Sequence, residues 1–308
     1  MKKVAIFLTL FVACLVGLMA AFPEDATRVA FAVERFRSGL EHKSIVMDGE
    51  TWHYLDGGPA DAPVVLLLHG FAADKDNWTR FSRKLTGQYR IIAPDLPGFG
   101  ESARQRERDY SVPAQSDWLH DFAATLKLDR FHLGGNSMGG YTAAFYAYRY
   151  SSQIESLLLI DNAGITSPNT SEMELAVGRG ENPLLTSSAE DFDRLLSFVA
   201  YKQPFVPWPA KGVLAQRSFE DSAFNRRIFE GYKDARDVGL EPILADINQP
   251  VLIIWGEFDR VLDISSIDVM RPLLPQAKVV IMQDTGHIPM LERPQETAAH
   301  YLEFLGSL

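Results

Sequence analysis

A short glycine-rich segment, Gly135-Asn136-Ser137-Met138-Gly139, carries the residue best suited to act as a nucleophile. Its spacing is G-x-S-x-G, and it lies between an apolar run, DRFHLGG, and the segment MGGYTAAFYAYRY, which is apolar at helical spacing. A strand, a sharp turn and a helix in this order are the context of a nucleophile elbow, which exposes the serine hydroxyl. The sequence therefore predicts Ser137 as a catalytic nucleophile. The alternative is a glycine-rich turn without chemistry.

A serine hydroxyl needs a base that takes its proton, and only two histidines follow Ser137 in the chain. In enzymes with this elbow, the catalytic groups follow one another as serine, acid and histidine. His287 lies in QDTGHIPMLERP, directly after the last apolar run, where a loop can reach the serine. His300 lies in a terminal amphipathic segment, ETAAHYLEFL, and is expected to be a surface or packing residue. We therefore predict His287 as the general base.

The third catalytic group, an acid, is expected at the end of a strand, where the other candidates lie. Asp259 follows VLIIWGEF, and its turn, GEFDRV, would expose the carboxylate. We predict Asp259 as the acid, with a turn-capping role as the alternative for this residue. Asp161 follows SLLLI and is the second candidate, because a carboxylate there can reach the same imidazole.

Backbone N–H groups are needed to stabilise the negative charge that develops on the substrate oxygen during acyl transfer. The N–H of Met138, which follows the serine at the start of a helix, is one predicted donor. The N–H of Phe71, in the segment HGF after the apolar run VVLLL, is the other. His69 in that segment precedes the serine, and we expect it to hold the loop by hydrogen bonding.

The elements that must position these residues are short apolar runs separated by helical patterns. The runs are APVVLLLHG, YRIIAPDLPG, RFHLGGNS, SLLLIDNAG, PVLIIWGEFD and AKVVIMQDTGH. Their alternation with helices predicts the α/β class, with a mostly parallel, doubly wound sheet whose ligands bind beyond the carboxyl ends of the strands. Before them, SIVMDGETWHYLDGG alternates around an Asp-Gly pair and predicts a β-hairpin.

One interval interrupts this alternation, between LLLIDNAG and PVLIIWGEFD. It predicts several helices, in SAEDFDRLLSFVAY, PAKGVLAQRSF and SAFNRRIFEGYKDA. We assign residues 165–240 to a helical cap inserted into a catalytic domain of residues 44–308. The cap is rich in aromatic residues, which are expected to form its core and to line an apolar cleft.

The N-terminal segment Val4–Phe22 contains no charged residue, and as a helix it would be about 28 Å long, close to the hydrocarbon thickness of a bilayer. Lys2 and Lys3 precede it, so the positive-inside rule places the rest of the protein on the outer, periplasmic side of the inner membrane. Because GLMAAF is a poor cleavage site, we predict residues 1–22 as a retained signal anchor. Residues 23–43 then form a linker helix that lies on the membrane surface or joins the anchor to the domain.

Two alternatives remain for this N-terminal segment. A signal peptide that is cleaved would leave a secreted or periplasmic protein. The segment FVAC loosely resembles a lipoprotein processing site, with lipid attachment at Cys14.

The overall composition excludes several classes of protein. The chain has 308 residues, of which 46% are hydrophobic and 23% charged, which suits one large globular domain with an insertion. A net charge of −10 and the absence of a basic cluster argue against a nucleic-acid partner. A single cysteine excludes an internal disulfide and a cysteine-rich metal site.

Five segments, HGF, PDLPGFGES, GNSMGG, GEFD and GHIPMLERP, together resemble the α/β-hydrolase superfamily from about residue 45 onwards. The cap segment NPLLTSSAEDFDRLLSFVAYKQPFVP and the apolar N-terminus resemble small membrane-associated bacterial lipases and monoacylglycerol lipases. The resemblance implies the α/β-hydrolase fold and a lipase or esterase that works through an acyl-enzyme, without a metal or organic cofactor. It implies the same roles as above for Ser137, Asp259, His287, Phe71 and Met138.

Other functions are compatible with parts of this pattern. GNSMGG is also similar to hydrolases that break carbon–carbon bonds in ring-cleavage products, but their soluble, intracellular substrates do not suit an anchored enzyme. A dehalogenase or an epoxide hydrolase would need a carboxylate in place of Ser137. A cofactor-free haloperoxidase-like esterase stays open as an alternative. Non-catalytic binding proteins of this fold usually lack one of the three catalytic groups, and this chain has all three.

Overall fold

A computed structural model describes residues 2–233 and 239–308. Eight strands form one sheet: β1 Leu40–Met47, β2 Glu50–Gly57, β3 Val64–Leu68, β4 Arg90–Pro94, β5 Phe131–Asn136, β6 Ile154–Ile160, β7 Val251–Gly256 and β8 Lys278–Met282. Their order is β1-β2-β4-β3-β5-β6-β7-β8. The pairs β1–β2 and β2–β4 are antiparallel, and the other five pairs are parallel. The prediction of a mostly parallel α/β sheet is confirmed.

Helices precede, connect and follow the strands. They are α1 Lys2–Ala21, α2 Pro23–Arg37, α3 Thr79–Ser82, α4 Val112–Thr125, α5 Met138–Arg149, α6 Glu172–Gly178, α7 Asp191–Val199, α8 Ala210–Lys233, α9 Glu241–Leu244, α10 Ser266–Leu273, α11 Pro289–Glu292 and α12 Pro294–Leu305. Of these, α3, α4, α5, α10 and α12 cover the two faces of the sheet. Short 3₁₀ turns occupy Lys75–Trp78 and Ser151–Gln153.

The continuous apolar runs of the central strands follow from burial on both faces. In β3, Leu66 and Leu68 belong to the core that includes residues of α4, α5 and α10. Val65 and Leu67 belong to a second core with residues of α3 and α12. Since side chains alternate between the faces of a strand, a strand covered on both sides favours apolar residues at every position.

The predicted hairpin is β1–β2, which pairs Met47 with Glu50 around Asp48 and Gly49. Both turn residues have positive φ, of 51° and 77°, as a tight Asp-Gly turn requires. The prediction of two separate helices in PAKGVLAQRSF and SAFNRRIFEGYKDA is wrong, because residues 210–219 of the first segment and 222–233 of the second lie in the single helix α8. No glycine or proline separates the two segments, so nothing interrupts the helix between them.

Between β6 and β7 the structure describes α6, α7, α8 and α9 but, in the part of the chain that it covers, no strand. The predicted cap, residues 165–240, includes residues 234–238, which lie outside the described residues. Its limits therefore stay a prediction.

The N-terminal region consists of α1 and α2. Within the described residues, none of the helices alone has the length and apolar composition needed to cross a membrane. The segments Phe7–Ala21 and Pro23–Arg37 meet this requirement only as a pair, by length and composition, and they are bent by 107°. Met1, the first residue of the predicted anchor, lies outside the described residues.

Candidate active site

Ser137 lies at the sharp turn between β5 and α5 and has φ +55° and ψ −119°. Few residues other than glycine adopt a positive φ, so this backbone is strained. Neighbouring segments hold it: the Ser137 N–H donates to the carbonyl oxygen of Ile160 at 3.0 Å. The Ser137 carbonyl accepts from the N–H of Ala163, also at 3.0 Å. The two bonds fix both peptide groups beside the serine to the chain that follows β6.

Two glycines of this turn have no room for a side chain. A Cβ on Gly135 would lie 2.2 Å from the carbonyl oxygen of Gly139. A Cβ on Gly139 would lie 2.4 Å from the carbonyl oxygen of Leu68, at the end of β3. The G-x-S-x-G spacing thus allows β5, α5 and β3 to meet closely around the serine.

His287 follows β8, and Asp259 follows β7. The distance between His287 Nδ1 and Asp259 Oδ2 is 2.8 Å, and both side chains are almost fully buried. The other carboxylate oxygen of Asp259 accepts from the N–H groups of Val261 and Leu262 at 2.8 and 3.1 Å. Since Asp259 is a carboxylate with Nδ1 as its donor, this arrangement selects the imidazole tautomer whose other nitrogen, Nε2, can accept a proton.

Asn136 and the end of α7 also position His287, and sequence reasoning found neither of them. The Asn136 side-chain amide donates to the carbonyl oxygens of His287 and Ile160, at 3.0 and 3.1 Å. The N–H of His287 donates to the carbonyl oxygen of Val199 at 2.8 Å. Asn136 occupies a variable position of the G-x-S-x-G pattern, and no sequence signal marks Val199. The base is therefore held by the strand that carries the serine and by a helix between β6 and β7.

Asp161, the alternative acid, lies close to the same pair but does not bond to the imidazole. Its carboxyl group is fully buried, and one oxygen accepts from the N–H of Gly256 at 2.9 Å. Ligand atoms of Asp161, Asp259 and His287 all lie within 4.8 Å of one another. Burial and the neighbouring Asp259 carboxylate raise the pKa of Asp161 well above its usual range.

The turn after β3 contains His69 and Phe71. The ring of His69 is fully buried, with Nδ1 2.8 Å from the Gly70 carbonyl oxygen and Nε2 accepting from the Leu96 N–H at 2.9 Å. Burial lowers the pKa of His69, which favours this neutral form. The ring of Phe71 contacts Phe229 of α8 at a centroid distance of 5.7 Å. His69 therefore joins the β3 and β4 loops beneath α8.

Met138, the other predicted donor of the oxyanion site, is the first residue of α5. The N-terminus of a helix favours negative charge. The five predicted site residues thus follow four parallel strands, β3, β5, β7 and β8. The carboxyl ends of these strands all lie at the same end of the sheet.

The chain is also similar to known proteins over most of its length. Residues 65–300 match the alpha/beta hydrolase family. Lipase 1 of Psychrobacter immobilis is 36% identical over 286 residues, which cover 92% of this chain and 90% of that protein. Monoacylglycerol lipase ABHD6 of Mus musculus is 31% identical over 262 residues, or 82% of this chain and 78% of that protein. The crystal structure of a membrane phospholipase A superposes with a TM-score of 0.92 at 47% identity, covering 100% of this chain and 99% of that one.

Proposed function

This chain belongs to the alpha/beta hydrolase family and is a carboxylic ester hydrolase. We propose that its substrates are acyl esters of membrane lipids and that Ser137, His287 and Asp259 are its catalytic residues. The observation that carries the assignment of residues is the 2.8 Å contact between buried His287 and Asp259, combined with the strained turn at Ser137. The lipase relatives support ester cleavage rather than cleavage of a carbon–carbon bond.

In this mechanism His287 Nε2 takes the proton of the Ser137 hydroxyl as the serine oxygen attacks the ester carbonyl. Asp259 holds the Nδ1–H and stabilises the imidazolium that forms. Collapse of the tetrahedral intermediate transfers the proton to the leaving alcohol and leaves an acyl-enzyme. His287 then activates water, which attacks the acyl-enzyme, releases the fatty acid and restores the serine.

The negative oxygen of the intermediate would be stabilised by the backbone N–H groups of Met138 and Phe71. Met138 supports this role because it begins α5, so that the helix dipole favours a negative charge there. Phe71 follows β3 in a turn that the buried His69 fixes, which keeps the donor in place before the reaction begins.

Residues 165–240 would act as the cap that binds the acyl chain. Support comes from the aromatic residues of α8, where Phe229 contacts Phe71 of the predicted oxyanion loop and Phe224 contacts Tyr110 at a centroid distance of 5.6 Å. An apolar lining of this kind favours an alkyl chain by at most about 0.8 kcal/mol for each methylene group.

The membrane would be the place of action, with residues 1–22 as an anchor and the catalytic domain on the periplasmic side. The support is the uncharged segment Val4–Phe22 behind two lysines, and the likeness to a membrane phospholipase A. Helix α2 would hold the domain against the anchor, because Arg35 is bonded to the buried Asp76 at 2.7 Å and Glu24 pairs with Arg217 of α8.

The proposal is tested with the detergent-solubilised full chain, a fluorophosphonate probe and a substrate panel. We expect the probe to label wild-type protein but not Ser137→Ala, and we expect hydrolysis of monoacylglycerols, lysophospholipids and p-nitrophenyl esters. Labelling of Ser137→Ala would place the nucleophile elsewhere. Hydrolysis of p-nitrophenyl esters without any glycerolipid cleavage would reject the lipid substrate and leave the catalytic residues in place.

A further inference from the structure

Away from the candidate active site, His42, His53 and Glu101 come together at the edge of the sheet that the hairpin forms. His42 lies on β1, His53 on β2, and Glu101 in the segment between β4 and α4. The distance from His42 Nε2 to His53 Nδ1 is 3.3 Å, and that from His42 Nε2 to Glu101 Oε2 is also 3.3 Å. Candidate ligand atoms of all three residues lie within 4.8 Å of one another. Neither the sequence patterns nor the proposed ester hydrolysis accounts for this cluster.

The two 3.3 Å distances from His42 Nε2 fit a small tetrahedral metal ion. Bonds of about 2.0–2.1 Å to nitrogen and oxygen place neighbouring ligand atoms about 3.3–3.4 Å apart at the tetrahedral angle. Two imidazoles bound in this way have ring centroids about 5 Å apart, and the centroids of His42 and His53 are separated by 5.3 Å.

Hydrogen bonding satisfies this cluster poorly, because a single proton on His42 Nε2 would have to be shared between His53 and Glu101 in a three-centre bond. His42 Nε2 is within reach of both His53 and Glu101, yet one ring nitrogen offers either a proton or a lone pair. If Nε2 accepts from His53, it has no proton for the Glu101 carboxylate. If it donates to Glu101, it has no lone pair for a proton from His53. A bound cation would instead use a lone pair of each of the three side chains.

Glu101 is held in position by a buried ion pair behind it. Its N–H donates to Asp95 at 2.9 Å, and its carboxylate accepts from Lys75 at 2.6 Å. Lys75 also donates to Asp95 at 2.6 Å, and both of those side chains are almost fully buried. The three charges sum to −1, so the carboxylate keeps a net attraction for a cation although an ammonium group lies beside it. Metal ligands are commonly oriented by such a second layer of partners.

A metal ion at this position would be bound by the carboxylate of Glu101 and by the neutral form of each imidazole, which keeps the lone pair that a metal requires.

We propose that His42, His53 and Glu101 form a binding site for a zinc-class divalent ion that links the β1–β2 hairpin to the loop after β4. The His42 and Glu101 side chains are 33% and 53% exposed, so water completes the coordination from the solvent side. Two imidazoles and one carboxylate suit zinc, whereas calcium and magnesium prefer oxygen ligands throughout. The site does not depend on the proposed catalytic roles.

The test is calorimetric titration of Zn²⁺ into untagged, EDTA-treated full-length protein in detergent, with Mg²⁺ as the comparison ion. Wild-type protein should bind one zinc ion at this site. His42→Ala, His53→Ala and Glu101→Gln should each weaken that binding at least about tenfold, since loss of even an outer partner costs about 10–100-fold. His300→Ala, a histidine substitution in α12, is the matched control and should bind like wild type.

Thermal unfolding in EDTA verifies that each variant is folded, and the zinc-dependent rise in Tm should disappear in the three ligand variants only. Equal zinc affinity in wild type and the ligand variants would overturn the proposal, as would a wild-type affinity for zinc no greater than that for magnesium. Zinc that binds only at Asp161, Asp259 and His287 would persist in the ligand variants and inhibit ester hydrolysis, which also overturns it.

Asp161 lies buried beside the proposed catalytic acid and base. One oxygen accepts from Gly256, but within the described chain no N–H or O–H group donates to the other, Oδ2, although it is buried. Its charged neighbours are the Asp259 carboxylate after β7, His287 after β8 and Glu292 in α11. An ionised Asp161 would thus face two further carboxylates, with the Gly256 N–H as the donor to one oxygen and none from the described chain to Oδ2.

We infer that Asp161 is a positioning residue that stays protonated and donates a hydrogen bond from Oδ2 to the Asp259 carboxylate. This inference rests on the proposed roles of Asp259 and His287. The bond satisfies the buried oxygen and orients the acid that holds the base. It also withdraws negative charge from Asp259, which lowers the proton affinity of His287.

Two substitutions of Asp161 distinguish this role from a structural one. Asp161→Asn keeps an N–H donor and tolerates the observed φ of +42°, so kcat and the acid limb of the pH profile of kcat/KM should stay near wild type. Asp161→Ala removes the donor, and the acid limb of the pH profile of kcat/KM should therefore move to higher pH. The value of kcat should fall roughly 10–100-fold, as expected for a lost hydrogen bond to a charged group. An unmoved limb in Asp161→Ala would overturn the inference.

The stability of Asp161→Asn gives an independent measure that needs no activity. A carboxyl whose pKa is raised by folding stabilises the protein fully at low pH and loses that contribution as the pH rises above its unfolded value. The Tm of Asp161→Asn should therefore exceed that of wild type by more at pH 8 than at pH 4. An Asn variant as inactive as Asp259→Asn would mean that Asp161 acts as an anion, and the inference would be wrong. A Ser137→Ala variant that still hydrolyses esters would instead overturn the proposed mechanism.

Discussion

Ser137 keeps a left-handed backbone at the candidate nucleophile position, so alanine there tests the chemistry without changing the shape of the turn. Alanine has the same steric cost at positive φ as serine, and we expect the Tm of Ser137→Ala to stay close to that of wild type. Turnover of p-nitrophenyl esters should fall by about 10⁴- to 10⁶-fold, as is usual when such a nucleophile is lost. Activity near the wild-type level in the folded variant would refute the mechanism.

Asp259 and Asp161 are both near His287, and their amide variants separate the acid from its neighbour. Asp259→Asn removes the carboxylate that contacts Nδ1 at 2.8 Å and should lower kcat by about 10⁴-fold. Asp161→Asn should lower it far less, because Asp161 makes no hydrogen bond to the imidazole. Steady-state kinetics on both purified variants provide the check, and the reverse ranking would transfer the role of acid to Asp161.

Among individual residues, those that belong to a motif or follow a strand could be predicted from the sequence. Ser137 and Met138 are fixed by G-x-S-x-G, and Asp259 and His287 directly follow apolar runs. Partners such as Asn136 and Val199 could not be found in this way. Asn136 contributes a side-chain amide at a variable position of the motif, and Val199 contributes a backbone carbonyl. Each of these groups bonds to His287, which is distant from both in sequence.

Among the elements, strands covered on both faces were the most predictable. Each of the six apolar runs became a strand of the sheet, although β8, at the edge of the sheet, is only partly buried. The helices after β6 were less predictable, and α8 was divided into two. Its sequence repeats charged residues among the apolar ones, so the apolar stripe did not reveal that the helix continues.

The contact of β5, α5 and β3 at the elbow is an element-scale feature that glycine makes possible. Gly139→Ala would bring a methyl group to 2.4 Å from the Leu68 carbonyl and 2.5 Å from that of His69. Overpacking of this kind costs about 1–3 kcal/mol, and each kcal/mol lowers the Tm of a large domain by about 2–4 °C. We expect a clear fall in Tm and a fall in kcat, because the predicted oxyanion donors lie on the two segments that are pushed apart.

The matched control for this change is Gly212→Ala in α8, where a Cβ would meet nothing within 4 Å. Alanine is favoured over glycine inside a helix by up to about 1 kcal/mol, so this variant should keep or raise the Tm and retain full activity. Calorimetry and esterase assays on the two variants test the difference. A Gly139→Ala protein as stable and active as the control would show that the elbow does not need the close approach.

At the scale of the whole molecule, the contact of α8 with the predicted oxyanion loop predicts how activity depends on acyl length. Each methylene that enters an apolar cleft raises kcat/KM by at most about fourfold. Octanoate esters should therefore exceed acetate esters until the cleft is full, and bulky triacylglycerols should be slower than monoacylglycerols. Phe229→Ala, which removes the ring next to Phe71, should flatten this rise. Phe219→Ala, an exposed residue of the same helix, should not. A preference for acetate over octanoate would exclude an acyl cleft.

The N-terminal segment is expected to hold the whole molecule in the membrane. We predict that the full chain remains in the membrane pellet after carbonate extraction. We expect the nineteen uncharged residues, Val4–Phe22, to keep it there without any lipid attached to Cys14. Cys14→Ser should therefore stay in the pellet, whereas a chain that begins at Pro23 should be released.

The released chain should still cleave soluble p-nitrophenyl esters, since the described contacts of α2 with the domain, such as Arg35 with Asp76, are retained. Its activity on lipid vesicles should be lower, because the enzyme must then find the surface by diffusion. In spheroplasts, added protease should reach the catalytic domain if the domain lies on the periplasmic side. Release of the wild-type chain as a shortened soluble protein would show that residues 1–22 are a cleaved signal. Release of Cys14→Ser alone would show that a lipid, and not the apolar helix, holds the enzyme at the membrane.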